Sequence, residues 1–268
     1  MTEPSVSKPP GRVALFALRT AVLAGLLAIW HLGGRFGFLD PFFFATPIDV
    51  IVRTWVDLGS ADIYRHLWVT TIETLLAFAI GTVGGIVVGF WLGLAPLASL
   101  VLDPYIKAAN ALPRVVLAPL FALWLGLGIW SKVALGVSLV FFVVFFNVYQ
   151  GIKEVSPAVL ANARMLGASR RQLLASVYLP SALSWVFSSL HTAVGFALVG
   201  AVVGEYLGSA AGLGYRIHQA EGVFDTVGVF SGMLILTLFV IAVDAVVSLI
   251  EARFLVWRPN AGGRPDAA

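Results

Sequence analysis

Phosphate chemistry in a chain of this kind would need a glycine-rich loop ending in a lysine. None of Lys8, Lys107, Lys132 and Lys153 follows a glycine, so no G-x-x-x-x-G-K-[ST] loop exists. Gly126-Leu-Gly128 and Gly212-Leu-Gly214 are isolated G-x-G pairs and weak nucleotide signals. No H-E-x-x-H occurs, and His31, His66, His191 and His218 are too dispersed to suggest a metal set. There is no G-x-S-x-G elbow for a serine nucleophile, and no cysteine for a thiolate or a disulfide. What remains are polar groups inside apolar runs. Glu73 and Asp244 are the acidic ones, and a charge at the centre of a membrane helix costs about 2.5–3.5 kcal/mol. Such a group either relays a proton or solute, or ties one helix to a neighbour. Glu73, within two turns of the outer end of its run, favours the tie or a site near the interface. Asn147 and His191 carry the same two readings and are candidates for lining a pathway.

The elements that must hold these residues follow from composition. The 268 residues are 59% hydrophobic and 12% charged, with a mean hydropathy of +0.94. Soluble domains run near 45–50% apolar and about 25% charged. A water-soluble globule and a disordered chain are both excluded. The net charge of +3 is no nucleic-acid footprint. No small-residue cleavage site follows the first apolar run, so it reads as a retained helix. The expectation is an all-α integral membrane protein with six transmembrane helices, at 13–32, 67–94, 108–125, 133–149, 181–206 and 228–249. Thr46-Pro47 to Gly59 reads as a short amphipathic helix lying on the membrane or on the protein, too short and too charged to span. Residues 95–107 and 207–227 read as connections.

Two spans carry small-residue stripes. Gly81, Gly85, Gly89 and Gly93 repeat at i+4, and Gly200, Gly204 and Gly208 repeat the spacing. Glycine lowers helix stability by roughly 1 kcal/mol per site in water, so such a stripe points to another helix approaching closely. Pro113 and Pro119 interrupt the third span. Broken backbone at membrane depth is tolerated where it is buried in protein or lines a cavity, which makes both prolines pathway candidates.

The one long polar interruption of the second half is 151–180. Ser156-Pro157 reads as an N-cap with proline at N1, opening a helix through Leu166 that Gly167 stops with positive φ. Ser169 and Gln172 form a capping box for a second helix, which Leu179-Pro180 ends. Arg164, Arg170 and Arg171 stand out on this helix-turn-helix, which reads as a rigid docking surface. With the N-terminus inside, 12 of the 17 Lys and Arg residues fall on the inner side and 5 on the outer. The positive-inside rule favours that orientation, with both termini and the 151–180 loop cytoplasmic. The organisation expected is an N-terminal segment 1–12, a first helix and outer segment 13–65, a core 66–250 and a tail 251–268.

Ala161-Asn-Ala163-Arg-Met-Leu-Gly167, followed by Val177-Tyr-Leu179-Pro180, resembles the EAA loop of ABC-importer transmembrane subunits. The spacing of that motif is kept throughout. The flank through Ala168 and Ser169, with Leu102-Asp103-Pro104, Pro113 to Gly128, Val203-Gly204-Glu205 and Gly212-Leu-Gly214-Tyr215, is similar to the nitrate/sulfonate/taurine-type branch. The glutamate that leads the motif is Ala161 here. The resemblance implies a type I importer permease fold with a cytoplasmic coupling helix. It implies a second copy of the chain, two cytoplasmic ATP-binding subunits that hold the ATP-Mg, and an extracytoplasmic solute-binding protein at a bacterial cytoplasmic membrane. It implies no catalytic residue, metal or cofactor in this chain. Pro157, Ala161, Ala163, Arg164, Gly167, Ala168, Ser169 and Pro180 would form the coupling loop. Glu205 joins Pro113, Pro119, Asn147 and His191 as a pathway candidate. The alternative is a secondary transporter or another polytopic membrane protein without an ATPase partner; the coupling-ion sites and internal repeats of a secondary transporter are not evident.

Overall fold

The computed structural model describes residues 11–40 and 42–254. Most of the two tails expected at 1–12 and 251–268 therefore lies outside the described residues. Every regular element among the described residues is helical. Five helices are long and apolar enough to cross a membrane, and a bent pair, taken as one span, makes a sixth. The helices are α1 (Arg12–Arg35), α2 (Pro47–Leu58), α3 (Ala61–Leu94), α4 (Pro96–Ala111), α5 (Ala118–Leu125), α6 (Ile129–Lys153), α7 (Pro157–Met165), α8 (Arg170–Leu173), α9 (Leu179–Gly208), α10 (Leu213–Gly222) and α11 (Thr226–Phe254).

The core is the contact of α3, α6 and α9. Ala77, Val140, Val144, Val148, Ile152, Ala182, Val186, Ala193 and Ala197 form one buried cluster. The glycine stripe of α3 lies along α6 in parallel register: Gly81 faces Val140, Gly85 faces Val144, Gly89 faces Val148 and Gly93 faces Ile152. A Cβ added at Gly85 would lie 2.8 Å from the Phe141 carbonyl oxygen and 2.9 Å from Val144 Cβ. Helix α9 returns antiparallel: Gly151 meets Ala182 and Trp185, Gly136 meets Ala197 and Gly200, and Lys132 meets Gly204. A Cβ at Gly200 would collide with Gly136 Cα, and one at Gly136 would lie 2.6 Å from Ala77 Cβ of α3, so neither position has room for a side chain. Large residues would force the three axes apart and forfeit this dispersion contact.

The parallel register of α3 and α6 carries a topological demand. Helix α3 ends beside Ile152, near the 151–180 loop, whereas α6 starts at the opposite end of the bundle. Residues 95–128 must therefore carry the chain back across. They do so as α4, a 3₁₀ turn at Arg114–Leu117 and α5, bent by 83°. This corrects the expected connection at 95–107 and the single kinked span at 108–125. Pro113 breaks the pair with extended backbone, while Pro104 continues within α4 and Pro119 starts α5. The second span begins at Ala61 rather than Leu67. Residues 207–227 are not a plain loop, because α10 occupies 213–222.

A further correction concerns Pro180. It does not end the second loop helix: α8 passes through a π turn at Leu174–Tyr178 directly into α9. The wider turn makes room for a ring that would otherwise meet the carbonyl four residues back.

The close approach gives a direct test. Gly85→Leu overpacks the α3–α6 contact and lowers stability by about 1–3 kcal/mol. Gly195→Leu, on α9 with nothing within 4 Å of its would-be Cβ, leaves it nearly unchanged. Thermal midpoints of the two variants in detergent check the difference. Equal midpoints would refute the packing argument.

Candidate functional site: a capped loop and a buried polar end

The loop between α6 and α9 is built from cap chemistry. Pro157 occupies the first turn of α7. Ser156 holds the N-cap position, but its side chain makes no capping bond, so the expected serine cap is replaced by proline geometry alone. At the other end, Gly167 has φ +80. Its N–H donates to Arg164 O at 3.0 Å, and Ala168 N–H donates to Ala163 O at 3.0 Å. This pair of bonds is a Schellman motif, which satisfies two of the last carbonyls of α7 and requires the left-handed residue. The next helix opens with the capping box: Gln172 N–H donates to Ser169 Oγ at 3.4 Å, and Ser169 N–H to Gln172 Oε1 at 2.8 Å. Helix α7 thus ends at Met165, one residue before the expected limit.

The loop is fixed in shape and open on its outside. Ala161, Arg164, Gly167, Ser169, Arg170 and Arg171 are exposed, and Ala163 and Ala168 are half-buried. Met165 and Leu166 are 79% and 89% exposed at the turn. Ser181 Oγ donates to Gly151 O at 2.7 Å and fastens the base of the loop to α6. Pro180, further along, is exposed on α9.

The pathway candidates do not converge. Pro113 and Pro119 lie exposed at the α4–α5 bend. Asn147 Nδ2 donates to Val143 O at 2.8 Å, along its own helix. His191 Nε2 lies 2.7 Å from Asp244 Oδ1, joining α9 to α11. His191 borders an apolar groove of about 760 Å³ between α3, α9 and α11, lined by Thr74, Phe78, Phe187, Phe239 and Val243 among others. Glu205 lies elsewhere, fully buried at the end of the bundle away from the loop.

Around Glu205 the structure gathers residues that sequence reasoning kept apart. Its carboxylate accepts from Thr70 Oγ1 at 2.6 Å and from Gly214 N–H at 2.8 Å. Glu73 and Lys132, both 1% exposed, face it. Lys132, which falls between the expected spans at 108–125 and 133–149, lies within the first turn of α6, and its Nζ donates to Leu127 O and Gly128 O. Beside this cluster, Asp57 of α2 accepts from Arg216 Nη2 at 3.1 Å and Ser231 Oγ at 2.9 Å. Arg53, Asp57, Arg216 and Asp225 border a cavity of about 230 Å³. The described residues hold no group of three or more His, Cys, Asp or Glu side chains able to bind a metal ion. The signal for the buried end was present: His66, Thr70 and Glu73 continue the helical face that leads through Ala77 into Gly81 and Gly85.

Comparison with known proteins agrees with these features. Residues 81–256 match the model of the family described as binding-protein-dependent transport system inner membrane component. The formylaminopyrimidine transport permease protein of Halalkalibacterium halodurans is 34% identical, over 87% of this chain and 92% of its own. The putative aliphatic sulfonates transport permease protein of Bacillus subtilis is 30% identical, over 97% of this chain and 94% of its own. The taurine transport system permease protein of Escherichia coli is 27% identical, over 90% and 89%. In fold, the chain resembles an inward-facing structure of the MetNI methionine ABC transporter. The TM-score is 0.60 at 18% identity, covering 72% of this chain and 94% of the other. With its crossing helices, its glycine-packed core and its capped loop, the chain belongs to the binding-protein-dependent transport system inner membrane component family, the transmembrane permease subunits of ABC importers.

Proposed function

We propose that two copies of the chain form the solute pathway across a bacterial cytoplasmic membrane. Two separate ATP-binding subunits dock on the α7–α8 loops, and an extracytoplasmic binding protein delivers the solute. The solute class is a small organic anion such as a sulfonate, taurine or nitrate-like ion, or a vitamin precursor. The observation that carries the reading is the exposed loop held rigid at both of its turns. A docking element must move as a body, and the Schellman turn at Gly167, the capping box at Ser169 and the uninterrupted passage of α8 into α9 make it one.

Mechanically, ATP-driven closure of the partner subunits draws the two loops together. Because α8 continues into α9 without a break, displacement of the loop becomes tilt of a 30-residue span. Helix α9 is packed on α6 and α3 through glycine, so the three move together. The pathway then alternates between two packed arrangements, and hydrolysis resets it. ATP-Mg belongs to the partner subunits. On this reading Ala161 and Asn162 meet the ATPase without the acidic contact of the family motif, and the exposed Met165 and Leu166 supply apolar contact instead. Residues 66–250 act as the transport core, with 13–65 as an added first crossing and outer segment.

Orientation is tested by single cysteines, since the chain has none. Leu166→Cys reacts with an impermeant thiol reagent only from the cytoplasmic face, and Val223→Cys, 71% exposed in the parent, only from outside. Labelling of Leu166→Cys from outside would place the loop on the wrong face.

Coupling is tested at Gly167. A β-branched residue at φ +80 is strained by about 1–2 kcal/mol, and it loosens the turn against which the ATPase packs. Gly167→Val still inserts, but uptake in proteoliposomes falls by about tenfold or more. Ala161→Glu, which restores the motif residue on an exposed face, keeps uptake. Normal uptake by Gly167→Val with its ATPase attached would remove the loop from the coupling mechanism.

A further inference from the structure

Helix α2 turns a polar side toward the protein and an apolar side away from it. With about 3.6 residues per turn, its residues divide into three faces. Val50, Thr54 and Asp57 are buried against the bundle. There Thr54 Oγ1 lies 3.2 Å from Ser231 Oγ, and Asp57 accepts from Ser231 Oγ and from Arg216 Nη2. Asp49 and Arg53 lie exposed along one edge. Thr46 caps the helix beside them, accepting from Asp49 N–H at 3.2 Å. Ile48, Ile51, Val52, Trp55 and Val56 make the third face and are between 48% and 73% exposed. That arc carries no polar side chain.

A helix at a water surface shows the reverse pattern, apolar inward and polar outward. The position of α2 accounts for the inversion. Ser231 lies in the second turn of α11, so α2 packs at the level where that apolar span begins. Only Gly59 and Ser60 separate α2 from α3. Tyr64 Oη donates to Leu58 O at 3.0 Å and joins the two surfaces. Tyr64, Trp68 and Leu75, exposed along one face of α3, then continue the apolar surface down that span. On the other side Phe42, Phe43 and Phe44, all exposed, lead into α2, and Thr226 Oγ1 ties Phe42 O to the start of α11 at 2.6 Å. Trp and Tyr side chains such as Trp55, Tyr64 and Trp68 concentrate where a bilayer meets water.

We propose that α2 is an interfacial anchor, with Ile48, Ile51, Val52, Trp55 and Val56 seated in the outer leaflet at the boundary of headgroups and acyl chains. Helices of this kind sink their apolar face about 5–10 Å into that boundary. The three faces of α2 match the three media that meet there: acyl chains, water and protein. Lipid is the occupant because the arc is continuous with the surface that α3 turns to the acyl chains. A patch kept for a soluble partner would stand open to water between encounters. The attraction is apolar and needs no anionic headgroup, since Arg53, the one cation of α2, is already paired with Asp57 and Asp225. Through Asp57 the anchor holds Arg216 of α10 and Ser231 of α11, so it fixes the level at which both helices stand at the membrane surface. Which leaflet it enters depends on the orientation proposed above; its seat in lipid does not.

The cysteine-free chain lets single thiols report each face. Val52→Cys places a nitroxide label on the apolar arc, and Asp49→Cys places one on the exposed edge three residues away. The full chain is reconstituted into phosphatidylcholine vesicles with no partner subunit. Collision of each label with oxygen, which concentrates among acyl chains, is compared with collision with a water-soluble nickel chelate. The oxygen-to-nickel ratio at Val52→Cys is expected to exceed that at Asp49→Cys several-fold. Equal ratios would overturn the proposal, because the arc would then face water and be free for a soluble partner. Shielding of the Val52→Cys label from both reagents would overturn it too, because a second copy of the chain would then cover the arc. Where Val52→Cys yields no folded chain, Val56→Cys reads the same arc and the same outcomes decide. No ATPase takes part, so the anchor can fail while the coupling role of the loop stands.

Discussion

Everything in this chain is arranged around the backbone contact of α3, α6 and α9. A bilayer supplies no hydrophobic drive between helices, so they associate through close packing and buried polar bonds. Gly81, Gly85, Gly89 and Gly93 let α6 approach along four turns, and Gly136 with Gly200 let α9 approach from the other side. That contact sets the parallel register of α3 and α6. The register in turn forces residues 95–128 to recross the membrane, and the broken α4–α5 pair is the consequence. The loop at one end and α10 at the other are then held at the two ends of a single three-helix body.

The two ends of that body are stabilised by different means. At the loop end the local sequence does the work: a left-handed glycine, a serine–glutamine box and a proline in the first turn of α7. These are contacts within a few residues, exposed to water, and each satisfies helix-terminal groups beside it. At the far end the terminal groups of α10 are satisfied by His66, Thr70 and Glu205, which lie 146, 143 and 9 residues away in sequence. The first arrangement makes a rigid handle. The second makes an attachment whose strength depends on the relative position of three helices, and so one that responds when they shift.

This difference explains what was legible in the sequence. Caps and stripes are local patterns, so the glycine spacing, the Gly167 stop and the Ser169–Gln172 box stood out. Glu73 was read as lying within two turns of the outer end because its run was taken to start at residue 67. The helix begins at Ala61, which places Glu73 twelve residues in. Lys132 fell between the expected spans at 108–125 and 133–149. Nothing local marks it as buried, since its burial depends on Gly204 of α9 standing opposite. The helix in α10 was hidden for a related reason. It is short and its N-cap is a glycine, so its capping groups lie on other elements.

The same reasoning gives the G-L-G triplet at 212–214 a physical meaning that a nucleotide motif would not. Gly212 is needed because its backbone is left-handed and because the Glu205 carboxylate occupies the space of a Cβ. Gly214 is needed because its N–H must come within 2.8 Å of that carboxylate with the Val202 carbonyl alongside. Leu213 between them turns into the apolar seat formed with Ile63 and Ile235. Val203-Gly204-Glu205 is the matching half: Gly204 admits Lys132 against α9, and Glu205 reaches back to cap α10. The two short motifs are a single constraint written on two helices. Each residue in it is fixed by a steric or hydrogen-bonding demand that the other motif creates.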